Sequence, residues 1–398
     1  MKKPSKRGRI FFSFADPVGF SGQKAATELV INGLSARGWV CRRLPLPVLR
    51  DSGRKQRVIL YAVGLLVSWV RALRLTLARG SWLYVNLGQT RFSFIRDAVP
   101  LLLGRAGLGR NRVLIVLHGS LFMRWARDSY ETRAFTFLLR NAGKVAVLGD
   151  SQKARLVDLG IPESRVEIVV NSCDIDALTP EMVRAKHDKV PDANRPVRFL
   201  FLGSLIDTKG YPEFLEAVRR LAAWGGPAVD AVVCGRYAPS LFADRLRDPE
   251  SVEKWIEERI AAINRSARVR ARWVRGARGE EKAALFHDAD VFVLPTRYAV
   301  EAQPVALLEA MASGCAIVTS RAGEITTILD DESAILLEPV SADSVEAALQ
   351  TLSLSPGRRL RLATAANRRY SERYKPERHL DRWESILGAP KAGRAGQS

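Results

Sequence analysis

Short apolar runs alternate along this chain with longer stretches in which apolar residues return every three or four positions. In the first half the runs fall at residues 10–14, 82–87, 113–117 and 145–148, and helical periodicity covers 23–36, 58–77, 94–103 and 131–139. Compact apolar runs bounded by turn residues read as buried strands, and strands alternating with helices imply parallel sheets with right-handed crossovers. From about 174 to 195 the rhythm breaks into a polar, proline-containing stretch that reads as a linker. A second series follows, with strands VRFLFLG, AVVCG, VRARWV, VFVLP and AIVTS and helices at 211–223, 280–287 and 344–352. After Pro356 the chain is helical and charged; Pro376 then precedes a last helix at 377–387 and a polar tail, KAGRAGQS, expected to be disordered. The expectation is two doubly wound, Rossmann-like α/β domains, 1–190 and 191–375.

Residues 291–321, VFVLPTRYAVEAQPVALLEAMASGCAIVTSR, concentrate the most information. Two apolar strands flank an amphipathic helix that begins near Pro304, which suits a first helical turn because its missing N–H costs nothing there. Glu301 lies before the helix and Glu309 inside it, with seven residues between them. Ligands of open α/β sheets bind beyond the carboxyl ends of the strands, which is where such a loop sits. Two carboxylates at this spacing can address two parts of one extended ligand and are too separated to be presumed a close glycosidase pair. The plainer reading is an acid favouring the helix dipole and a second, exposed acid on the helix.

Composition and charge narrow the class. A chain of 398 residues exceeds one ordinary core, and 47% apolar with 26% charged residues is that of a globular protein. The formal charge is +20. Residues 1–190 carry about 32 Lys and Arg against about 14 Asp and Glu, the remainder about 30 against 28. The first half is therefore the part suited to a polyanion, an acidic lipid or a phosphorylated substrate. Cys41, Cys173, Cys234 and Cys315 show no CxxC spacing, which argues against a metal cluster or disulfide framework and fits a reducing cytoplasm. The basic N-terminus with its apolar run of about seven residues, stopped by Asp16, reads as a first strand rather than a signal peptide. The longest apolar run, 58–70, has about 13 residues before Arg71, short of the ~20 a bilayer needs.

Other candidates are weaker singly. The loop Pro17-Val18-Gly19-Phe20-Ser21-Gly22 could bring backbone N–H groups to a phosphate, or be a plain tight turn. His118 ends a strand and precedes Gly119, a place facing a ligand edge or holding an ordinary loop histidine. Gly203, Ser204 and Lys209 lie between a strand and a helix start, where a lysine beside oriented N–H donors suits a diphosphate. Asp288 and Asp290 look like a DxD metal motif but lead directly into a strand, so they are expected to be structural.

In order, these pieces resemble the retaining glycosyltransferases of family 4, which have the GT-B fold. The likeness is carried by FLGSLIDTKG, by ADVFVLPTRYAVEAQPVALLEAMASGCAIVTSRAGEI, and by VLGDSQKARLVDLGIPESRVEIVVNSCD at the end of the first domain. The resemblance implies two Rossmann-like domains facing each other across a cleft, with the terminal segment 376–398 crossing back to the first. It implies transfer of a sugar, with retention, from a UDP-, GDP- or ADP-sugar to a saccharide or lipid-linked saccharide in cell-envelope or exopolysaccharide assembly. The nucleotide-sugar is a co-substrate, and no cofactor or metal is expected, positive groups and helix N-termini offsetting the leaving diphosphate. By the same resemblance Glu309 binds the ribose hydroxyls, Glu301 contacts the transferred sugar, and Lys209 holds the diphosphate. His118 meets the donor sugar near the reacting centre, and Gly19 helps place the diphosphate; Gly203, Gln303, Pro304 and Val305 complete the donor site. Two positions depart from the family: Ser204 stands where arginine is common, with Arg297 expected to supply the missing cation, and Ala302-Gln303-Pro304 replaces the frequent Gly-Phe-Gly.

The segment 50–80, with Arg50, Arg54, Lys55 and Arg57 ahead of an apolar helix edged by Arg71, Arg74 and Arg79, implies an anionic membrane surface as partner. The expected location is cytoplasmic, peripheral on the inner membrane; a buried helix of the first domain is the other reading. A sugar-nucleotide epimerase of the same fold would need acids placed for hydroxyl elimination, and those motifs are not evident. A nucleic-acid-binding protein rests on charge alone, which gives only non-specific binding, and no recognition module accompanies it.

Overall fold

The computed structural model describes residues 7–15, 22–47, 55–188 and 195–388. It resolves into two compact units, Met1–Ser172 with Pro376–Ser398, and Cys173–Lys375. The first unit contains β1 (Gly8–Ala15), α1 (Gly22–Ala36), β2 (Trp39–Leu46), α2 (Lys55–Ala72), β3 (Trp82–Asn86), α3 (Arg91–Leu108), β4 (Val113–Val116), α4 (Tyr130–Leu139), β5 (Lys144–Val147), α5 (Asp150–Asp158) and β6 (Val166–Ile168). Its six strands pair in parallel in the order β2-β1-β3-β4-β5-β6. Alternate residues serve opposite faces: Phe11, Leu83, Val85 and Ile115 join one apolar cluster, while Ile10, Phe12, Tyr84 and Leu114 join the other. A sheet buried on both faces needs apolar residues at every position, which is why these strands show as unbroken runs. The last helix, Pro376–Ile386, sets Leu380 and Trp383 into the second cluster. Its Glu384 accepts a hydrogen bond from Trp39 Nε1 at 3.0 Å and pairs with Arg7 and Arg37.

Strand β2 was not expected, because WVCRRLPL mixes arginines with a proline; it is an edge strand, where both are tolerated. The helix expected at 58–77 is α2 followed by a 3-10 turn, Leu73–Leu77. Its apolar character continues past Arg71 and Arg74, so that Ile59–Leu77 is by length and composition sufficient to cross a bilayer. This corrects the apolar run as counted from the sequence, which ended at the first arginine.

In the second unit come α6 (Pro180–His187), β7 (Val197–Leu202), α7 (Tyr211–Trp224), β8 (Val229–Cys234), α8 (Pro249–Ile263), β9 (Val269–Val274), α9 (Gly279–Asp288), β10 (Val291–Leu294), α10 (Val305–Ala312), β11 (Ala316–Ser320), α11 (Ile325–Ile328), β12 (Ile335–Leu337), α12 (Ala342–Leu354) and α13 (Pro356–Arg373). The parallel sheet runs β12-β11-β10-β7-β8-β9. Counted from β7 this is the 3-2-1-4-5-6 order of dinucleotide-binding sheets, whose strand order reverses between the first and fourth strands, here β7 and β10.

The boundary placed at 190/191 moves to Ser172/Cys173. The polar stretch read as a linker contains α6, capped by Thr179, whose hydroxyl accepts from Met182 N at 3.3 Å. Val183 and His187 lie one turn apart on the buried side of α6, and the His187 ring meets Gly314 O at 2.8 Å. One apolar residue per turn was too thin a stripe to show as periodicity.

Candidate functional site

Strand β7 ends in the loop Gly203–Gly210, and β10 ends in the loop 295–304; the two strands are neighbours at the strand-order reversal. Gly210 has φ +90°, and a Cβ there would lie 2.2 Å from Pro295 O, so one loop rests directly on the end of the other strand. Asp207 anchors its loop by accepting from the N–H groups of Thr208 (2.9 Å), Asp244 (2.9 Å), Arg245 (2.6 Å) and Leu246 (3.1 Å). Burial opposes the Asp207 carboxylate, but these four donors hold its pKa below the usual range.

This packing brings Lys209 to Glu301. Lys209 Nζ stands 3.0 Å from Glu301 Oε2 and 5.1 Å from the centre of the Tyr298 ring. Thr296 Oγ1 donates to the same carboxylate at 3.2 Å. The Glu301 loop is fixed from the far side as well: Glu324 N donates to Ala302 O at 2.9 Å, and a Cβ on Gly323 would lie 2.3 Å from Glu301 O. Pro304 is the residue that caps α10 rather than its first helical residue, which is Val305. Gln303 and Ala302 are buried beneath this turn. The result is a buried carboxylate and an ammonium group fixed at a helix N-terminus, where anionic ligands are favoured.

Glu309 lies one turn further into α10 and is buried, not an exposed helix acid. Its Oε1 accepts from Lys282 Nζ at 2.5 Å, and Lys282 also reaches Asp174 at 3.1 Å. Burial pushes the Glu309 carboxyl above its ordinary value, with Lys282 opposing. Burial would likewise discharge Lys282, but Glu309 and Asp174 hold its ammonium above the ordinary lysine value. Sequence reasoning missed both partners. The available signal was Lys282 itself, one turn before Phe286 on the buried face of α9.

The remaining candidates are placed differently. The Arg297 guanidinium pairs with Glu213 at 2.9 Å and with Asp244, so two carboxylates already engage the cation expected to stand in at Ser204. Gly203 N donates to Cys234 O at 3.1 Å, and Ser204 O accepts from Ile206 N at 2.8 Å. Asp290 is structural: it accepts from Arg198 N at 2.9 Å and pairs with Arg195 ahead of β10.

In the first unit, His118 follows β4 at the carboxyl edge of its sheet. Its Nε2 lies 3.5 Å from Tyr84 Oη, and its Nδ1 is buried. Gly119 O accepts from Gln89 Nε2 at 2.8 Å, and Ser120 Oγ meets Gln152 Nε2 at 2.9 Å, which fixes the turn after the histidine. Gly19 and the tail after Gly388 lie outside the described residues.

Burial lowers His118 to about 4, and the same cause brings His187 and His379 to about 4. For His379 the partners agree: Trp383 Nε1 donates to Nε2 at 3.0 Å, leaving Nδ1–H for Val170 O at 2.8 Å, so the ring is neutral. Because the unfolded chain takes up these protons first, stability present above pH 6.5 is lost as pH falls toward 4. A thermal-unfolding midpoint that stays level from pH 6.5 down to pH 4 would contradict this; a progressive fall is expected.

The architecture is a two-domain α/β fold shared with solved structures of the GT-B type. Residues 183–369 match the family model described as Glycosyl transferases group 1, a little under half the chain. Among solved structures, that of Anabaena Alr3699/HepE in complex with UDP-glucose is 15% identical over 96% of this chain and 99% of that one, with a TM-score of 0.68. Sucrose-phosphate synthase from Thermosynechococcus elongatus is 17% identical over 96% and 98%, with a TM-score of 0.69. Among curated relatives, a Salmonella typhimurium protein named as the colanic acid biosynthesis glycosyltransferase WcaL is 27% identical over 222 residues, 54% of this chain and 48% of the relative. The MMP alpha-(1->4)-mannosyltransferase of Mycolicibacterium hassiacum is 36% identical over 113 residues, 28% and 25% of the two chains. The matches thus span about half or less of these relatives' length.

Proposed function

We propose that this protein is a retaining glycosyltransferase that moves a sugar from a nucleotide-sugar to a saccharide or lipid-linked saccharide acceptor. The observation that carries the reading is the buried Glu301 carboxylate held against Lys209 where the strand order of the second sheet reverses, at the N-terminus of α10. The glycosyltransferase names of the relatives and the UDP-glucose bound in the HepE structure favour the same class.

In this reading the bond between the sugar's anomeric carbon and the nucleoside diphosphate breaks, an acceptor hydroxyl oxygen takes its place, and the hydroxyl proton passes to the departing diphosphate. Negative charge gathers on the departing diphosphate, where Lys209 and the first N–H groups of α10 offset it without a metal ion. The sugar becomes oxocarbenium-like, and in this reading the Glu301 carboxylate stabilises that charge. Glu309 takes the ribose hydroxyls, its orientation set by Lys282. The His118 imidazole, which burial lowers to about 4, is neutral near pH 7 and acts through hydrogen bonds rather than charge.

The test is a screen of UDP-, GDP- and ADP-sugars for donor hydrolysis and transfer, with the anomeric configuration of the product read by NMR. At least one donor is expected to turn over, with retention and with activity unchanged by EDTA. Inversion at the anomeric carbon would overturn the mechanism, and loss of activity in EDTA would overturn its metal-independent part.

A further inference from the structure

A surface of the first unit remains outside this chemistry. Along α2 and the turn after it, Ile59, Val63, Leu66, Val70, Leu73 and Leu77 are each more than half exposed. Their spacing of four, three, four, three and four residues places them on one side of a helix. The other side is fixed to the domain: Leu75 is fully buried, Ser68 Oγ donates to Pro45 O at 3.1 Å, and Trp69 Nε1 donates to Arg96 O at 3.1 Å. The neighbouring α3 adds Phe92, Ile95 and Leu102, also exposed. Contiguous apolar surface of this kind marks an interaction face.

The charge around it selects the occupant. Between Lys55 and Arg112 the chain carries ten Lys and Arg and a single acid, Asp97, which is buried and paired with Arg96. Arg71, Arg74, Arg79, Arg91 and Arg105 are exposed along the two helices and the segment joining α2 to β3. A second copy of the chain docked face to face would set like charges against one another, which disfavours that pairing. An anionic bilayer satisfies both features, taking the apolar stripe below its headgroups and the arginines at their level.

We infer that α2 and the start of α3 form a docking face for an anionic lipid bilayer, with α2 lying in the membrane plane. Although Ile59–Leu77 is long and apolar enough to span, its inner side is bonded to the sheet and to α3, so only the outer stripe enters lipid. The inference stands apart from the glycosyltransferase reading, because vesicle binding is measured without donor or acceptor.

The experiment is flotation of the full chain with vesicles of phosphatidylcholine alone and of phosphatidylcholine with phosphatidylglycerol, at low and high salt. Partition into the anionic vesicles at low salt is expected to exceed that into neutral ones by about tenfold or more. Leu66→Ser with Val70→Ser should cut partition about tenfold with all charges kept, and Arg71→Glu with Arg74→Glu should do so with all apolar groups kept. These side chains are exposed, so circular-dichroism melting should match the parent; Phe92→Ser with Ile95→Ser on the second helix gives an independent reading. The inference is overturned if the parent chain stays out of anionic vesicles at low salt. It is also overturned if the apolar variants bind like the parent, or if light scattering shows a dimer that Leu66→Ser with Val70→Ser breaks apart.

Discussion

Glu301→Gln is expected to lower the transfer rate by 10²–10³, roughly 3–4 kcal/mol of transition-state stabilisation, while leaving nucleotide affinity nearly intact. The carboxylate is buried and held by Lys209 and Thr296, so it is already oriented when positive charge develops on the sugar. Glutamine keeps the shape and one hydrogen-bond acceptor, and replaces the charge and the second acceptor with an amide NH2. The expected kinetic signature is a fall in kcat with KM little changed, because the lost interaction belongs to the transition state. A variant with parent kcat would remove Glu301 from the chemistry.

The second large effect is on stability. Glu309 and Lys282 are both buried and meet at 2.5 Å, so deleting Lys282 leaves the Glu309 carboxyl without its cation, while deleting Glu309 leaves Lys282 only the exposed Asp174 at 3.1 Å. Lys282→Met alone should destabilise the full chain by about 3–5 kcal/mol in urea unfolding, and Glu309→Leu alone by less, because Asp174 still pairs with Lys282. Replacing both together should recover most of the loss, since two apolar side chains then fill the space. The double variant should nonetheless bind nucleotide poorly, which separates the role of Glu309 toward a ligand from its role in folding. Recovery of both stability and nucleotide binding would reduce the pair to a structural feature.

Much of this was legible before any coordinates. The central strands of both sheets declared themselves because such strands in parallel sheets are apolar on both faces, and the Glu301 loop could be placed because it follows one. What was hidden had little local signal. Strands β6 and β12 are three residues each, too short to stand out against flanking apolar residues. Helix α6 shows only Val183 and His187 to the interior, so it read as linker. Asp174 lay in the stretch read as linker, and Lys282 was not singled out; their meeting with Glu309 depends on three segments packing together. Arg297 misled for the opposite reason: its sequence neighbourhood is right, but Glu213 and Asp244 claim its guanidinium.

The central claim is that the donor binds at the strand reversal of the second sheet. Hydrogen exchange on the full chain, with and without the nucleoside diphosphate of the active donor, addresses it directly. Slowed exchange is predicted in the loop Gly203–Gly210 and at the start of α10, from Val305 to Glu309. Protection confined to other segments, with these two unchanged on saturation, would contradict the account.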